Sequence, residues 1–387
     1  MNHAIKTEHK HTYKHDPQAA YFSPGVMNLL GTHAERQGGK VLGLTHDIGL
    51  TAVVSARLDR MIQIRLLNEP DTDVQTLNLE TLHYDTIKSH AALMAVLLKK
   101  LSHEGYDVSK GLDITVGGPL RKENGIGFES TLLMLFFSLV MDQNALTLEK
   151  KKQLRYATHV FKEFKPTMSA PTDPLALLYA KQDHLIYICG KTMDFDWVPF
   201  DFQNYALTLF NTNRNPEHSL KTLMKRQNEV HDGFTTINRK RVIESLCDLD
   251  VREFNTLKEL ISKPTTKKRI EHVVFEGDRS RQGFNALERG DYILFSGLIE
   301  QSHISLKELY EVSGEELDFL ASEAYKQGAL AGKLAGVGFG GPLIALFEKD
   351  DLPRDFDDLK HRYEKRFHKP LDVTVLKSES VVRKIDL

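Results

Sequence analysis

Over residues 41–58, apolar and small residues alternate behind the glycine pair Gly38-Gly39, a period-two pattern that predicts strands. Residues 61–67 add a second alternating segment. Apolar positions then recur at helical spacing over residues 89–101 and stop near Gly105, so a helix is expected there. Residues 112–116 form a short strand candidate ending in Gly117-Gly118; a loop follows, and then a helix after Glu129 that is apolar throughout. Residues 185–189 and 205–210 are again strand-like, and the pattern turns more helical beyond them. The class implied is mixed α/β. Strand, glycine loop and helix in succession form an arrangement in which backbone N–H groups and the helix dipole hold phosphate. A tight turn capping a buried helix has the same local pattern.

The chain has 387 residues, long for one core, and two domains are expected. The boundary is placed at 197/198, in the interval between the last strand candidates. With 41% hydrophobic and 27% charged residues the composition is that of a globular protein. A formal net charge of −2 gives no bulk attraction to nucleic acid or to an anionic membrane. Two cysteines, Cys189 and Cys247, build no disulfide framework, which fits a reducing cytoplasm. The apolar run at 132–140 is too short to span a bilayer, and the first residues lack the apolar stretch of a secretory signal, so a cytoplasmic protein is expected. Residues 1–16 are polar. They hold His3, His9, His11 and His15 at no metal-ligand spacing, among Lys6, Lys10 and Lys14, and are expected to form a mobile tail.

Three glycine-rich segments carry the chemistry. They are SPGVMNLLGTHAERQGG at residues 23–39, GIGFESTL at 125–132 and AGVGFGG at 335–341. In this order and spacing they resemble the motifs SPGRxNLIGEHTDYxGG, GAGLSSSA and TGGGFGG of the galactokinases, members of the GHMP kinase superfamily. HVVFEGDR at 272–279 and SHISLKELYEVSGEELDFL at 302–320 also look like family segments, so the similarity runs over nearly the whole chain. The resemblance implies an α/β fold of two domains with the active site in the cleft between them, an N-terminal domain at 17–197 and a C-terminal one at 198–387. It implies ATP and Mg²⁺, and a small-molecule sugar as substrate or ligand.

Carried over position by position, the nucleotide loop comprises Gly125, Ile126, Gly127, Phe128, Glu129, Ser130 and Thr131, with Thr131 supplying the hydroxyl that holds Mg²⁺. The cleft glycine motif is Gly336, Gly338, Phe339, Gly340 and Gly341. The segment TDPLALLYAKQDHLIYI places Asp173 on the family's catalytic aspartate, which assists removal of the proton from the attacking sugar hydroxyl. His33, Glu35 and Asp173 are the substrate-binding candidates.

Several positions depart from the family pattern. Val26 stands where the family has a catalytic arginine, a group worth roughly 10³–10⁵ in rate in phosphoryl transfer. Thr32 and Ala34 replace the glutamate and threonine of GEHTD, and the sugar-contacting tyrosine falls near Lys221. Each lost charged hydrogen bond costs roughly 1.5–3 kcal/mol, so two such losses weaken galactose binding by about two to four orders of magnitude. Phe161 replaces the Mg²⁺-binding glutamate. Glu129 stands where the family has serine, and two roles are open for it: occupying the anion site itself, or serving as a Mg²⁺ ligand from the other side of the ion. Arg36 lies on the loop where the family has tyrosine, either solvated or reaching toward the phosphates. The implied functions are therefore a sugar 1-kinase, a non-catalytic relative acting as a sensor or partner-binding protein, or a GHMP kinase for another alcohol. The stretch at 302–320 counts against the last.

Overall fold

The computed structural model describes residues 2–82, 87, 89–164, 172–214 and 220–387. The long alternating segment forms one strand: β1 (Ala19–Leu30) lies antiparallel on β2 (Lys40–Ala56) along most of its length. Register slips between Ser23 and Gly25. Pro24, with no N–H for the ladder, sits in that irregularity and turns its carbonyl toward the site described below. Strands β3 (Met61–Leu66), β4 (Gln75–Asn78) and β5 (Leu112–Gly117) extend the sheet, β3 running parallel to β5. Strands β6 (His184–Cys189) and β7 (Phe195–Pro199) flank the start of β2.

Residues expected to lie in a mobile tail form helix α1 (Asn2–Tyr13), laid against β5 and β2. Ile5 packs with Ala20 and Val53, and the buried His9 imidazole bonds the hydroxyls of Thr115 and Ser55 at 3.0 and 2.9 Å. Burial pushes His9 down to about 4, so it is neutral in this position. One apolar residue and one satisfied histidine, a helical turn apart, anchor a segment that composition marks as polar.

The sheet is covered by α2 (Ala92–His103), α3 (Phe128–Gln143), α4 (Lys150–Phe164) and α5 (Thr172–Tyr179). Helix α3 is apolar around its whole circumference because neighbours surround it: β1 and β2 on one flank, α2, α4 and α5 on others. Its position fixes the phosphate loop that precedes it.

A second sheet, in the order β11-β8-β10-β9, contains β8 (Tyr205–Asn211), β9 (Ala331–Leu334), β10 (Leu343–Glu348) and β11 (Asp372–Val375). Its alternation is resolved by burial on both faces. Leu207, Leu209, Ile344 and Leu346 join the core of the first sheet. Phe210, Leu343, Ala345 and Phe347 join a core built with helices α6 (Leu220–Asn238), α7 (Val251–Leu257), α8 (Pro264–Glu288), α10 (Glu315–Lys326) and α11 (Asp357–Phe367). Between α8 and α10 runs α9 (Tyr292–Ser305), whose Phe295, Leu298 and Ile299 pack in the first core. The strands change sheet between β7 and β8, so a boundary at 197/198 would cut through β7, and β12 (Arg383–Ile385) returns to pair with β1. The two sheets therefore share a core, and the C-terminal strand pairs with the first.

Candidate functional site

The second and third glycine motifs touch. Gly336, at φ 67°, lies so near Gly125 that a Cβ there would overlap the Gly125 carbonyl. Gly338 and Gly340 also take left-handed conformations, and Cβ atoms on them would overlap the Val312 carbonyl and the Arg214 side chain. Phe339 sits between them at φ 60°, its N–H on the Val312 carbonyl at 2.6 Å, and the Gly341 N–H closes the turn on the Gly338 carbonyl at 3.3 Å. Only glycine fits such close approach of backbone to backbone.

On the other side, Gly127 at φ 74° starts α3 with no side-chain cap on the helix N-terminus. Its Cβ position is 2.6 Å from Val26 Cγ1 and 3.7 Å from Asp173 Oδ2. The bulge of β1, the loop 125–127 and the first turn of α5 thus converge on one point. Ile126 and Phe128 are buried and hold the loop against the core. Uncapped N–H groups with a helix dipole behind them suit a phosphate group.

At this point stands Asp173, accepting a hydrogen bond from Ser130 Oγ at 3.1 Å. Desolvation raises its carboxyl to about 7; the Ser130 bond opposes the shift, the Glu35 and Glu129 charges add to it, and Arg36 pulls it back. A carboxyl poised near neutrality suits proton abstraction at physiological pH.

Beside it is the loop 31–39. The Gly31 N–H donates to Glu276 Oε1 at 3.0 Å, and the Thr32 carbonyl accepts from His272 Nε2 at 3.0 Å. These bonds hold His33 at φ 69°, an unfavourable angle for a residue with a side chain. Its ring stacks on Tyr310 with centroids 4.5 Å apart, and burial keeps it neutral, well below the usual histidine range. Its Nε2 is buried without a protein partner, as is Glu35 Oε2. Burial raises the Glu35 carboxyl, and Arg36, Nε 3.8 Å from Oε1, opposes the rise. His33 and Glu35 thus present unmet hydrogen-bonding atoms on one loop, and the Glu35 charge bears on Asp173.

Other positions are placed differently from expectation. Thr131, expected to hold a metal ion, is fully buried and donates its hydroxyl to the Pro24 carbonyl at 3.0 Å. Ser130 is the hydroxyl that reaches Asp173. Glu129 lies 3.5 Å from His90 Nε2, and the Nδ1 of the same ring is bonded to Glu69. Burial alone would lower His90, but the bonds to Glu129 and Glu69 raise it to about 9, so it is cationic at neutral pH. Phe161 is buried in the core, and Glu163 faces Lys99 and His159, each at 3.5 Å. Lys221 is exposed on α6. Thr32 turns its hydroxyl to the fully buried Lys333, whose Nζ donates to it at 2.8 Å. Burial pushes Lys333 down to about 8 against the pull of Glu276 and Glu35. The described residues include no group of three or more side chains fit to hold a metal ion. Arg36, on an exposed type of loop by sequence, is only 16% exposed and sits among these groups.

Sequence reading missed Glu69, His90, Lys333 and the stacking role of Tyr310. Each comes from an element remote in sequence, and no local pattern marks it.

Residues 7–56 match a galactokinase galactose-binding signature and residues 284–365 the GHMP kinase C-terminal family. The galactokinase of Clostridium perfringens (strain 13) is 30% identical over 343 residues, 88% of this chain and 89% of that one. That of Clostridium tetani is 30% identical over 365 residues, covering 93% and 92%. The crystal structure of Lactococcus lactis galactokinase complexed with galactose superposes with a TM-score of 0.91 at 26% identity, covering 99% of both chains. Methanococcus jannaschii mevalonate kinase shares the fold, with a TM-score of 0.68 at 15% identity over 93% of this chain and 98% of that one.

Proposed function

Because this chain belongs to the galactokinase family, we propose that it is an ATP-dependent sugar kinase, transferring the γ-phosphoryl group to the anomeric hydroxyl of an aldose. The observation that carries this reading is Asp173, raised to about 7 and set between the phosphate loop and two unpartnered buried polar atoms. Asp173 takes the hydroxyl proton; His33 Nε2 and Glu35 Oε2 accept or donate to the sugar's other hydroxyls; the backbone of Gly125 and Gly127 and the start of α3 hold the phosphates. Ordinary galactose activity is the doubtful part of this reading, since Thr32 and Ala34 stand where the family pattern has a glutamate and a threonine.

The residues present do not fit a protein-held Mg²⁺. Thr131 is fully buried beneath the loop, Phe161 is apolar, Glu163 turns to Lys99, and Glu129 is paired with His90. No step is assigned to that ion.

A second reading, a non-catalytic relative that binds a sugar or a partner, draws support from Val26, which presents methyl groups to the phosphate loop. ADP release with Mg·ATP and a panel of aldoses, beside Asp173→Asn, separates the two. Sugar-dependent release abolished in the variant supports the kinase and names its substrate. No release above the variant with any sugar supports the second reading.

A further inference from the structure

We propose that Cys189 and Cys247 form an oxidisable thiol pair behind the loop 31–39, closed to a disulfide by hydrogen peroxide. They are the two cysteines of the chain, and both are free. Only the effect of the bridge on turnover rests on the kinase reading; the pair itself does not.

Both thiols lie in the wall of one cavity of about 430 Å³, together with Gly38, Lys40, Lys191 and Gly277. Cys189 ends β6, opposite Lys40 of β2, and opens a turn that the Met193 N–H closes on its carbonyl at 2.8 Å. Cys247 sits in the helical turn Leu246–Asp248, its N–H donating to Ser245 Oγ at 3.0 Å. Its Sγ is turned toward α8, 3.4 Å from where a Cβ on Gly277 would stand. Two ion pairs already span the gap between these turns: Lys191 Nζ is 3.1 Å from Asp248 Oδ1 and 2.7 Å from Glu244 Oε2. Gly38 is wedged in the same gap. A Cβ on it would be 3.2 Å from Lys191 Cβ and 3.1 Å from Ser245 Oγ. The two turns are thus one glycine apart there, and each cysteine lies two residues along the chain from that contact.

The thiols differ in character. Burial alone would raise Cys189, but hydrogen bonds from the Thr192 side chain and the N–H groups of Thr192 and Lys191, with the Lys40 charge behind them, bring it below the ordinary thiol value. Burial pushes Cys247 up to about 12, so it keeps its proton. Both residues are part-exposed, and a small oxidant reaches them. The Cys189 thiolate attacks one peroxide oxygen; the O–O bond breaks, hydroxide leaves, and the sulfur is oxidised to a sulfenic acid. The Cys247 sulfur then displaces the hydroxyl group. An S–S bond forms, the S–O bond breaks, and the hydroxyl departs as water with the Cys247 proton.

The bridge acts on the sugar side of the site. The Gly190 N–H donates to the Gly39 carbonyl at 2.9 Å, and Ser245 Oγ donates to the Gln37 carbonyl. The turn Glu35–Gln37 hangs from neighbours of both cysteines. Drawing the two walls together presses on Gly38, which has little spare room, and shifts Glu35. The loop 125–127 is packed on Gly336 and Val26 instead.

The test treats the full, reduced chain with hydrogen peroxide and weighs it by intact-mass spectrometry. A loss of one pair of hydrogens is expected, reversed by dithiothreitol, with a Cys189–Cys247 cross-linked peptide after digestion. Cys247→Ser should trap the sulfenic acid on Cys189 as a dimedone adduct, and Cys189→Ser should resist peroxide at its remaining thiol. An unchanged mass, or a sulfenic acid formed first on Cys247, overturns the pair. In the oxidised chain the KM for sugar should rise roughly tenfold, the loss of one hydrogen bond from Glu35, while the KM for ATP holds. Both serine variants should lack that rise. An unchanged sugar KM in a chain shown by mass to be bridged overturns the link to the loop. A reduced chain that turns over no sugar counts against the kinase reading, and the pair is then decided by the mass result.

Discussion

Replacing Asp173 by asparagine should make the protein more stable at neutral pH while removing its activity. Burial raises the carboxyl from an ordinary aspartate value to about 7 in the folded chain. A group with a raised folded pKa contributes its full stability below the unfolded value, near 4, and loses it as pH rises through 7. At pH 8 the ionised carboxylate therefore costs folding energy. About three pKa units at 1.36 kcal/mol each set an upper bound of about 4 kcal/mol, and the partial exposure of Asp173 lowers it to roughly 2. Asparagine keeps an oxygen for the 3.1 Å bond from Ser130 and carries no charge to desolvate. For a chain of this length, 2–4 kcal/mol corresponds to a rise in Tm of about 2–5 °C. Thermal denaturation of both proteins at pH 4, 6 and 8 tests this. The curves should coincide at pH 4 and separate toward pH 8, with the variant higher. Equal Tm differences at all three values would mean that Asp173 titrates normally, and the case for it as a base tuned to neutrality would fall. Turnover by the native protein should rise with pH through about 7 as the base ionises.

His90 should be needed to neutralise Glu129 beside the phosphates. His90→Gln leaves an uncompensated carboxylate at the start of α3 and should weaken ATP binding by about tenfold. Glu129→Ser in the same chain should restore it, read by calorimetry. Stability drawn from the His90 clamp is present below pH 6.5 and is lost as pH rises through about 9, a fall that His90→Gln should not show. Gly336→Ala puts a Cβ onto the Gly125 carbonyl at a positive φ and should cost about 1–3 kcal/mol together with nucleotide affinity; an unchanged Tm would refute the close contact of the two loops. Ile5→Ala should cost about 2 kcal/mol in urea denaturation, whereas a solvated tail would give no change.

The elements were legible wherever one period held over a whole segment. The alternation after Gly39, the helical spacing near residue 95 and the wholly apolar run at 132–140 all reappear as β2, α2 and α3. The terminal helix was not legible, because its two anchors, Ile5 and His9, are outnumbered by lysines and histidines that face solvent. In the site, glycine spacing marked the meeting loops, since positive φ and backbone contact leave glycine as the residue that fits. The fate of hydroxyls and charges was not legible. Whether Ser130 or Thr131 faces Asp173 depends on one residue of helical phase, about 100° of rotation, and the order of residue types in GIGFESTL does not fix it. The partner of Glu129, His90, was not legible either, because it precedes another helix about forty residues away in sequence.

The altered residues taken alone describe a site losing its chemistry, with valine, threonine and phenylalanine where charges would act. The energetics point the other way. A buried polar atom without a partner costs about 1–3 kcal/mol, and His33 Nε2 and Glu35 Oε2 both stand in that condition. Asp173 adds a desolvated carboxylate, and His33 a left-handed backbone that costs about 1–3 kcal/mol more. Together these approach the whole stability of an ordinary domain, about 5–15 kcal/mol. A fold under no demand except stability would relieve them by single substitutions, since apolar residues in such places commonly gain about 0.5–2 kcal/mol each. His33 Nε2 and Glu35 Oε2 share one loop, and on the kinase reading the hydroxyls of a sugar complete their hydrogen bonds.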